Sequence, residues 1–443
     1  MTNIALIVLD TLRKDTFDEY FDWLSGIRFE NAWSTSHWTV PAHASLFTGQ
    51  YASDVGVHAR AQYLDYEDKT LAEKLQQEGY RTRGFSTNSH ITPHFNFDRG
   101  FNEFNCEMRA KKYNDRLFSL SEQFQPPRSN YPKQAIKSAL GVVRGEFAIR
   151  SSLEKMYRHL SSHYPTLPSA TGTSAGKALS YIREVEFGSD EFLFVNLMDV
   201  HGPYNPPLRY QRRRYSRSDI MTKGMETFSD KTVAPEAARD AYEDCARHLS
   251  DKLQKIIDEL DNFDYIITLS DHGESFGEDS VWAHIYGLHP SLTQIPLVIT
   301  GPDRKTSTEE TTVNLLDVYA TILDIAEVDD ETEGRPLLNS ISTRPCLTEY
   351  HGITHEKKLE KLQEYGVSDT EIAAIDEPRF GMSLPPSYYR YETLNDTSVV
   401  GESEYEDPEA LLEELKTARP ALNRTGHELG EAMESQLSQL GYL

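Results

Sequence analysis

The chain has 443 residues and a formal net charge of −25, from 45 Lys and Arg against 70 Asp and Glu. Contacts to a phosphate backbone need a basic face, so this balance excludes a general nucleic-acid binder. Three scattered cysteines (Cys106, Cys245, Cys346) without C-x-x-C spacing exclude a disulfide framework and a thiolate metal site, and point to a reducing compartment.

No apolar run approaches the ~20 residues of a membrane span. Met1 leads almost directly into an apolar strand, not a secretion signal, so a soluble cytoplasmic protein is expected. Ile4 to Leu9 (IALIVL) is a continuous apolar run, the pattern of a strand buried on both faces of a parallel sheet. It ends at Asp10, followed by Thr11, Arg13 and Asp15. Ligands in open α/β sheets bind beyond the carboxyl ends of strands, so Asp10 reads either as a site acid or as a helix N-cap. In Trp38 to Gly49 (WTVPAHASLFTG) a hydroxyl stands two positions before a proline, and a small-residue helical pattern closes on glycine. Pro41 is expected at the first helical position. Thr39 then lies at the helix N-terminus, where unpaired N–H groups and the dipole favour a negative oxygen. A plain Thr N-cap is the alternative.

Thr70 to Gly79 reads as an amphipathic helix with a terminal glycine, and Tyr80 to Ser86 as the next strand of a β-α-β rhythm. Asn88 to Phe104 is an aromatic loop in which His90 and His94 either line a site or are merely exposed. Glu107 to His159 holds eleven Lys and Arg against five Asp and Glu. It reads as helices joined by Pro-rich turns, inserted over the sheet as a lid or anion-steering surface, or else as a solvated face. Tyr164 to Gly176 is a linker that closes this insert, which spans about residues 107–176.

Glu191 to Met198 is a second buried strand, ending in Asp199-Val200-His201-Gly202-Pro203-Tyr204. Arg209, Arg212, Arg213, Arg214 and Arg217 follow, and guanidinium forks suit phosphate or sulfate oxygens. Arg212 and Arg213 are the substrate-binding candidates of this cluster; a solvated loop is the alternative. Ala237 to Leu260 is a long amphipathic helix. Phe263 to Ser270 is the third buried strand, ending in Asp271-His272-Gly273-Glu274, with His284 and His289 beyond it. Ile295 to Ile299 reads as a strand and Thr312 to Ile325 as a helix. Past Gly334 the chain turns irregular and polar, ending in helices at Pro408 to Lys416 and Glu428 to Leu440. The expected division is a catalytic domain over 1–335 and a smaller C-terminal subdomain over 336–443.

Asp10, Asp199 and Asp271 each close a buried strand, and His201 and His272 stand close by. Carboxyl ends of parallel strands share one edge, so these groups are able to converge. Oxygen ligands with an imidazole suit one divalent ion, Mn, Mg, Ca or Zn. Such an ion at Thr39 would lower the pKa of its hydroxyl, the activation an alcohol nucleophile otherwise lacks.

Five segments carry a resemblance: IVLDTLRKD (Ile7 to Asp15), TVPAHASLFTG (Thr39 to Gly49), NLMDVHGPY (Asn196 to Tyr204), LSDHGESFGE (Leu269 to Glu278) and the WAH…QIPLVITGP run (Trp282 to Pro302). In this order they resemble the sulfatase family of the alkaline phosphatase superfamily, over roughly residues 1–105 and 190–340. The resemblance implies an α/β, alkaline-phosphatase-like fold: a central, mostly parallel sheet flanked by helices, with a smaller C-terminal subdomain. By position it implies Asp10, Asp271 and His272 as metal ligands together with Thr39, which also holds the nucleophile position. His201 matches a histidine that contacts the transferred group or leaving oxygen, and His284 a histidine or lysine near the substrate. Arg13 stands beside the first ligand, as a candidate for the substrate.

The departures from the family pattern bear on the chemistry. Family sulfatases carry Cys or Ser in C/S-x-P-x-R, oxidised to formylglycine; here the motif is Thr39-x-Pro41-x-His43. Thr is not converted to formylglycine, but it is the nucleophile of related nucleotide pyrophosphatase/phosphodiesterases, phosphopentomutases and lipoteichoic-acid synthases. His43 replaces the arginine that supports nucleophile and metal, and Thr11 replaces a second acid. The reduced set resembles the single-metal site of the lipoteichoic-acid-synthase branch. The resemblance thus implies a metal-dependent hydrolase or transferase of phosphate esters or diesters with an anionic ester as its partner. A sulfuric-ester hydrolase working without formylglycine and a non-catalytic metal- or anion-binding member are the alternatives.

Overall fold

The computed structural model describes residues 2–106, 173–216, 219, 227, 235–338, 341–353 and 356–420. The basic stretch expected over Glu107 to His159, Arg217 and the helix expected over Glu428 to Leu440 lie outside the described residues. The strands up to residue 314 are β1 (Ile4–Leu9), β2 (Ile27–Phe29), β3 (Ala32–Trp33), β4 (Arg81–Ser86), β5 (Glu103–Cys106), β6 (Glu191–Leu197), β7 (Tyr265–Leu269), β8 (Ser275–Phe276), β9 (Trp282–Ala283), β10 (Leu297–Thr300), β11 (Ser307–Glu309) and β12 (Val313–Asn314).

Eight of these form the central sheet in the order β11-β2-β10-β7-β1-β6-β4-β5. β1 pairs in parallel with β6 and β7, and β4 in parallel with β6 and β5. β10 runs antiparallel to both its neighbours, so the sheet is mostly parallel with one reversed strand. The apolar run of β1 is explained by its two covered faces. Ile4, Leu6 and Val8 pack under the Thr39–Thr48 and Leu315–Ile325 helices. Ala5, Ile7 and Leu9 pack under the Ser174–Glu184 and Pro235–Glu259 helices. Each fully buried Ile or Leu contributes about 1.5–3 kcal/mol relative to exposure, which fixes the strand at the centre of the sheet. Among the described residues no helix is long and apolar enough to cross a membrane.

Three sequence expectations are corrected here. The helix predicted from the proline starts at Thr39 itself, with Trp38 in the capping position and Pro41 third in the helix. A first-turn proline loses no intrahelical bond, so any of these positions accepts it. The linker expected over Tyr164 to Gly176 gives way at its end to the Ser174–Glu184 helix, where Thr173 Oγ1 accepts from the Gly176 N–H at 3.2 Å. The region past Gly334 is not irregular throughout: β13 (Cys346–Tyr350), β14 (Arg379–Leu384), β15 (Tyr388–Glu392) and β16 (Thr397–Val400) form an antiparallel sheet in chain order. Its β-branched and aromatic residues pack under the main body, with Tyr389 stacked on Trp33 at 4.1 Å between centroids. The Glu349 N–H donates to the Thr35 carbonyl at 2.8 Å, which ties this second sheet to the loop that leads into Thr39.

Candidate active site

β1 is flanked by β6 and β7, so its carboxyl end meets both of theirs: Val8 is in register with Leu269, and Leu9 with Leu197. The next residues, Asp10 and Asp271–His272, therefore fall together. One ligand atom from each of Asp10, Asp271 and His272 lies within 4.8 Å of the others, and all three side chains are fully buried. Atoms across an ion bound at about 2.0–2.6 Å have this spacing.

The hydrogen bonds show which lone pairs are committed. Asp10 Oδ2 accepts from Asn88 Nδ2 at 2.8 Å and from Asn196 Nδ2 at 3.4 Å. Asp271 Oδ1 accepts the N–H groups of Thr11 at 3.3 Å and His272 at 3.0 Å. Asp10 Oδ1 and Asp271 Oδ2 are buried without a hydrogen bond. Thr11 has a φ of 63°, a strained value for a β-branched residue, and that turn aims its N–H at Asp271. Tyr242 holds the turn, its hydroxyl donating to the Thr11 carbonyl at 2.9 Å and accepting the Arg13 N–H at 2.8 Å.

Burial, then the neighbouring Asp271 charge, raises the pKa of Asp10, and burial pushes Asp271 up to about 7. Burial, then His284, lowers His272 to about 3, so its imidazole is neutral. Its Nδ1 lies 2.8 Å from the Gly273 carbonyl, which only accepts, so the proton is on Nδ1 and Nε2 carries a lone pair. Two orphaned carboxylate oxygens and an imidazole lone pair, all desolvated, are the donor set of a hard or borderline divalent cation. The residues present fit such an ion.

Thr39 opens its buried helix beside this set. Its Oγ1 is 3.2 Å from His272 Nε2 and 3.5 Å from Asp10 Oδ2, two acceptors within reach of its one proton. One turn on, His43 is held down to about 4 by burial and is neutral. His43 Nδ1–H donates to the Thr39 carbonyl at 2.9 Å, and Nε2 accepts from Asn196 Nδ2 at 3.2 Å. His43 thus orients the first helix turn, which carries Thr39, and, through Asn196, Asp10. Gly273 is required: a Cβ there would lie 2.0 Å from the Ser291 carbonyl oxygen.

His201 and His284 adjoin the cluster. The His284 ring centroid is 4.7 Å from that of His272 and 5.1 Å from that of His201. His284 Nδ1–H donates to Glu274 Oε1 at 2.9 Å, and Tyr204 donates to Glu274 Oε2 at 2.8 Å. Burial raises Glu274 to about 7, and burial with His201 nearby holds His284 well below the usual histidine value.

Other expected residues lie elsewhere. Asp199 does not join the acids: its Oδ2 accepts the Ala175 N–H at 2.7 Å, and its Oδ1 lies 3.4 Å from His248 Nδ1. The unpaired N–H groups of the Ser174–Glu184 helix draw that carboxylate away. Arg13, a substrate candidate by sequence, has all its nitrogens engaged, by Asp15, Glu278 and the Glu274 carbonyl. Arg212 pairs with Asp240, Glu243 and Asp244, and Arg213 with Asp240, all on the long Pro235–Glu259 helix. Arg212 and Arg213 therefore brace that helix. His90 is buried and packs edge-on against Trp38 at 5.9 Å, His94 lies 3.0 Å from the Tyr63 hydroxyl, and His289 caps a short helix by accepting from the Ser291 N–H. Sequence reasoning missed Asn88, Asn196 and Glu274 as supporting residues. Asn196 is a polar residue inside an apolar strand, and Asn88 lies just past a strand's carboxyl end; both were detectable signals.

This architecture and buried acid–imidazole cluster define an alkaline-phosphatase-like α/β fold. The sulfatase family model matches residues 3–328, and the chain belongs to the sulfatase family. It is 22% identical over 325 residues to the uncharacterized sulfatase YidJ of Escherichia coli K12, covering 69% of this chain and 61% of YidJ. It is 22% identical over 397 residues to mouse (Mus musculus) arylsulfatase K, covering 82% of this chain and 68% of that protein. The chain thus spans about three fifths to two thirds of the length of these curated relatives. Its fold is similar to that of the phosphonate monoester hydrolase SpPMH from Silicibacter pomeroyi, with a TM-score of 0.60, 16% identity and 94% of each chain covered.

Proposed function

We propose that this sulfatase-family hydrolase cleaves phosphate esters or diesters, with Thr39 as nucleophile. The observation that carries the reading is the Thr39 hydroxyl at 3.2 Å from His272 Nε2 and 3.5 Å from Asp10 Oδ2, at the first residue of a buried helix. Asp10, Asp271, His272 and Thr39 would hold one divalent ion, which when bound lowers the pKa of the Thr39 hydroxyl and offsets charge on the transferred group.

In this reading Thr39 Oγ1 attacks phosphorus in line with the leaving oxygen. The Thr39 hydroxyl proton is released to solvent water, and the Thr39 Oγ–P bond forms as the ester P–O bond breaks. At the open end of the helix the Thr39 and Val40 N–H groups, Pro41 having none, favour the developing negative oxygens, and fixed donors of that kind supply much of the catalysis in such transfers. His201 gives the proton that the leaving oxygen takes up, while neutral His284, its Nδ1–H held by Glu274, presents its other ring nitrogen as an acceptor. Water, or an acceptor hydroxyl, then attacks the phosphothreonine and restores Thr39. The name of SpPMH, a phosphonate monoester hydrolase, supports a singly charged phosphoryl ester as the substrate class. A sulfuric-ester reading draws on the family itself and on the same tetrahedral geometry.

The test is turnover of nitrophenyl phosphate, bis-nitrophenyl phosphate, a phenyl phosphonate monoester and nitrophenyl sulfate by the Mn-, Zn-, Mg- or Ca-loaded protein, beside Thr39→Ala. Thr39-dependent cleavage of a phosphoryl ester is the expected result. Cleavage of the sulfate alone would replace this reading with the sulfuric-ester one.

A further inference from the structure

The loop that leads into Thr39 is held between the buried acid–imidazole cluster and the second sheet. Ser34 Oγ donates to the Asp271 carbonyl at 2.5 Å, and Ser36 Oγ to the Glu349 carbonyl at 3.0 Å. Thr348 Oγ1 donates to the Ser34 carbonyl at 2.8 Å. His37 follows these ties, 1% exposed, with its ring centroid 4.7 Å from that of Tyr350. Neither of its ring nitrogens has a hydrogen bond. Buried polar groups are almost always bonded, so an imidazole with both nitrogens open points to a ligand.

The surroundings of His37 indicate what that ligand carries. After burial, the groups that act on it most are His272, His284, His351 and Lys358, all bases. Lys358 acts on His284 as well. It stands on the Glu356–Glu364 helix of the C-terminal subdomain, whose Leu359 and Leu362 share an apolar cluster with Ile285, Tyr286 and Tyr350. That packing sets the helix against the segment that carries His284. Lys358 is half-buried, and among the described residues it forms no hydrogen bond and no ion pair. Burial, then Lys361, lowers its pKa to about 8, so it keeps its charge at neutral pH. A chain with 70 Asp and Glu against 45 Lys and Arg thus leaves this cation without a carboxylate.

The charges that act most on His272 are His284, Asp10 and Glu274, not Lys358. The ammonium therefore stands a layer out from the metal ligands, where the organic part of an ester would extend. An ammonium and an imidazole N–H are both donors, and an oxyanion accepts from both. We propose that Lys358, with the His37 N–H, binds a second oxyanion carried on the organic part of the ester substrate. The inference rests on the ester reading of the Thr39 site and names one feature of the substrate.

The experiment is calorimetric titration of the full chain carrying Thr39→Ala, in saturating Mn and at constant ionic strength. The probes are phenylphosphonate and its meta- and para-carboxy derivatives. One of the carboxylates should tighten binding about ten-fold, as one charge-assisted contact does. Lys358→Met keeps the apolar stem; it should remove that gain and leave phenylphosphonate unchanged, while Lys358→Arg keeps most of the gain. His37→Phe keeps the ring and drops both nitrogens, so it should weaken the carboxylate probe without lowering the melting temperature. Equal weakening of all three probes by Lys358→Met would put the ammonium on the transferred group and overturn the second site. A gain that persists in Lys358→Met, or no gain from either carboxylate, would overturn it too. Undiminished binding in His37→Phe would remove His37 from it. Turnover is read separately: cleavage surviving Thr39→Ala would overturn the Thr39 reading while the affinity difference stands. Loss of the Lys358 effect would leave Thr39-dependent cleavage untouched.

Discussion

Asp271→Asn should stabilise the chelated protein while abolishing its response to metal. Burial raises this carboxyl from 3.8 to about 7. The folded chain therefore binds more protons than the unfolded chain between those values, and stability falls as pH rises through that window. Above about pH 7 the full cost of a buried charge is present, about 4 kcal/mol. Asn removes the charge yet keeps an oxygen for the Thr11 and His272 N–H groups that Asp271 now accepts. For a chain of 443 residues, an unfolding entropy of about 2.1 cal/mol/K per residue converts 1 kcal/mol into about 1 °C. In chelator at about pH 8 the variant should melt about 4 °C above wild type, and the gap should close near pH 4. Adding Mn or Zn at about 100 times its dissociation constant should raise the wild type by about 3 °C and the variant hardly at all. Scanning calorimetry across pH, with and without metal, reads both effects. A variant that melts below wild type in chelator at every pH, or that gains the same increment from metal, would refute the account of the cluster.

Asn88→Ala removes the 2.8 Å bond that orients Asp10, so metal affinity should fall about ten-fold with little change in the chelated protein's melting, as read by metal titration. Arg213→Ala should leave KM for anionic esters unchanged. Arg212→Ala strips a partner from buried Asp244 and should lower stability by about 1–3 kcal/mol, again with KM unchanged. A rise in KM in either arginine variant would move that cluster back to the substrate.

The strand-end rule made Asp10, Asp271 and His272 legible, because three apolar runs with polar ends imply one shared edge. Thr39 was legible from its proline and glycine frame, although the helix begins one residue earlier than a capping threonine would require. Asp199 obeys the same rule and still leaves the cluster. The competing attraction is a helix N-terminus contributed from residues 174–184, which no local pattern around Asp199 reveals. Arg212 and Arg213 misled for a related reason: a run of arginines shows charge, while its partners lie some thirty residues on, along the acidic face of the Pro235–Glu259 helix. The C-terminal sheet was missed because β13 to β16 are short and the helices Glu356–Glu364 and Asp369–Asp376 part β13 from β14, though the strands' aromatic and β-branched content carries the strand signal. Asn196 and Asn88 were overlooked as amides, groups that neither titrate nor usually ligate metals, yet they hold the Asp10 carboxylate of the cluster.

The central claim is that Thr39 carries the transferred group. The most direct measurement is peptide mass spectrometry of metal-loaded protein acid-quenched during turnover of its best aryl ester. The account predicts a phosphoryl adduct on the peptide containing Thr39, lost on longer incubation and missing in Thr39→Ala, which should also be inactive. Turnover persisting in Thr39→Ala, or an adduct on any other residue, would contradict it.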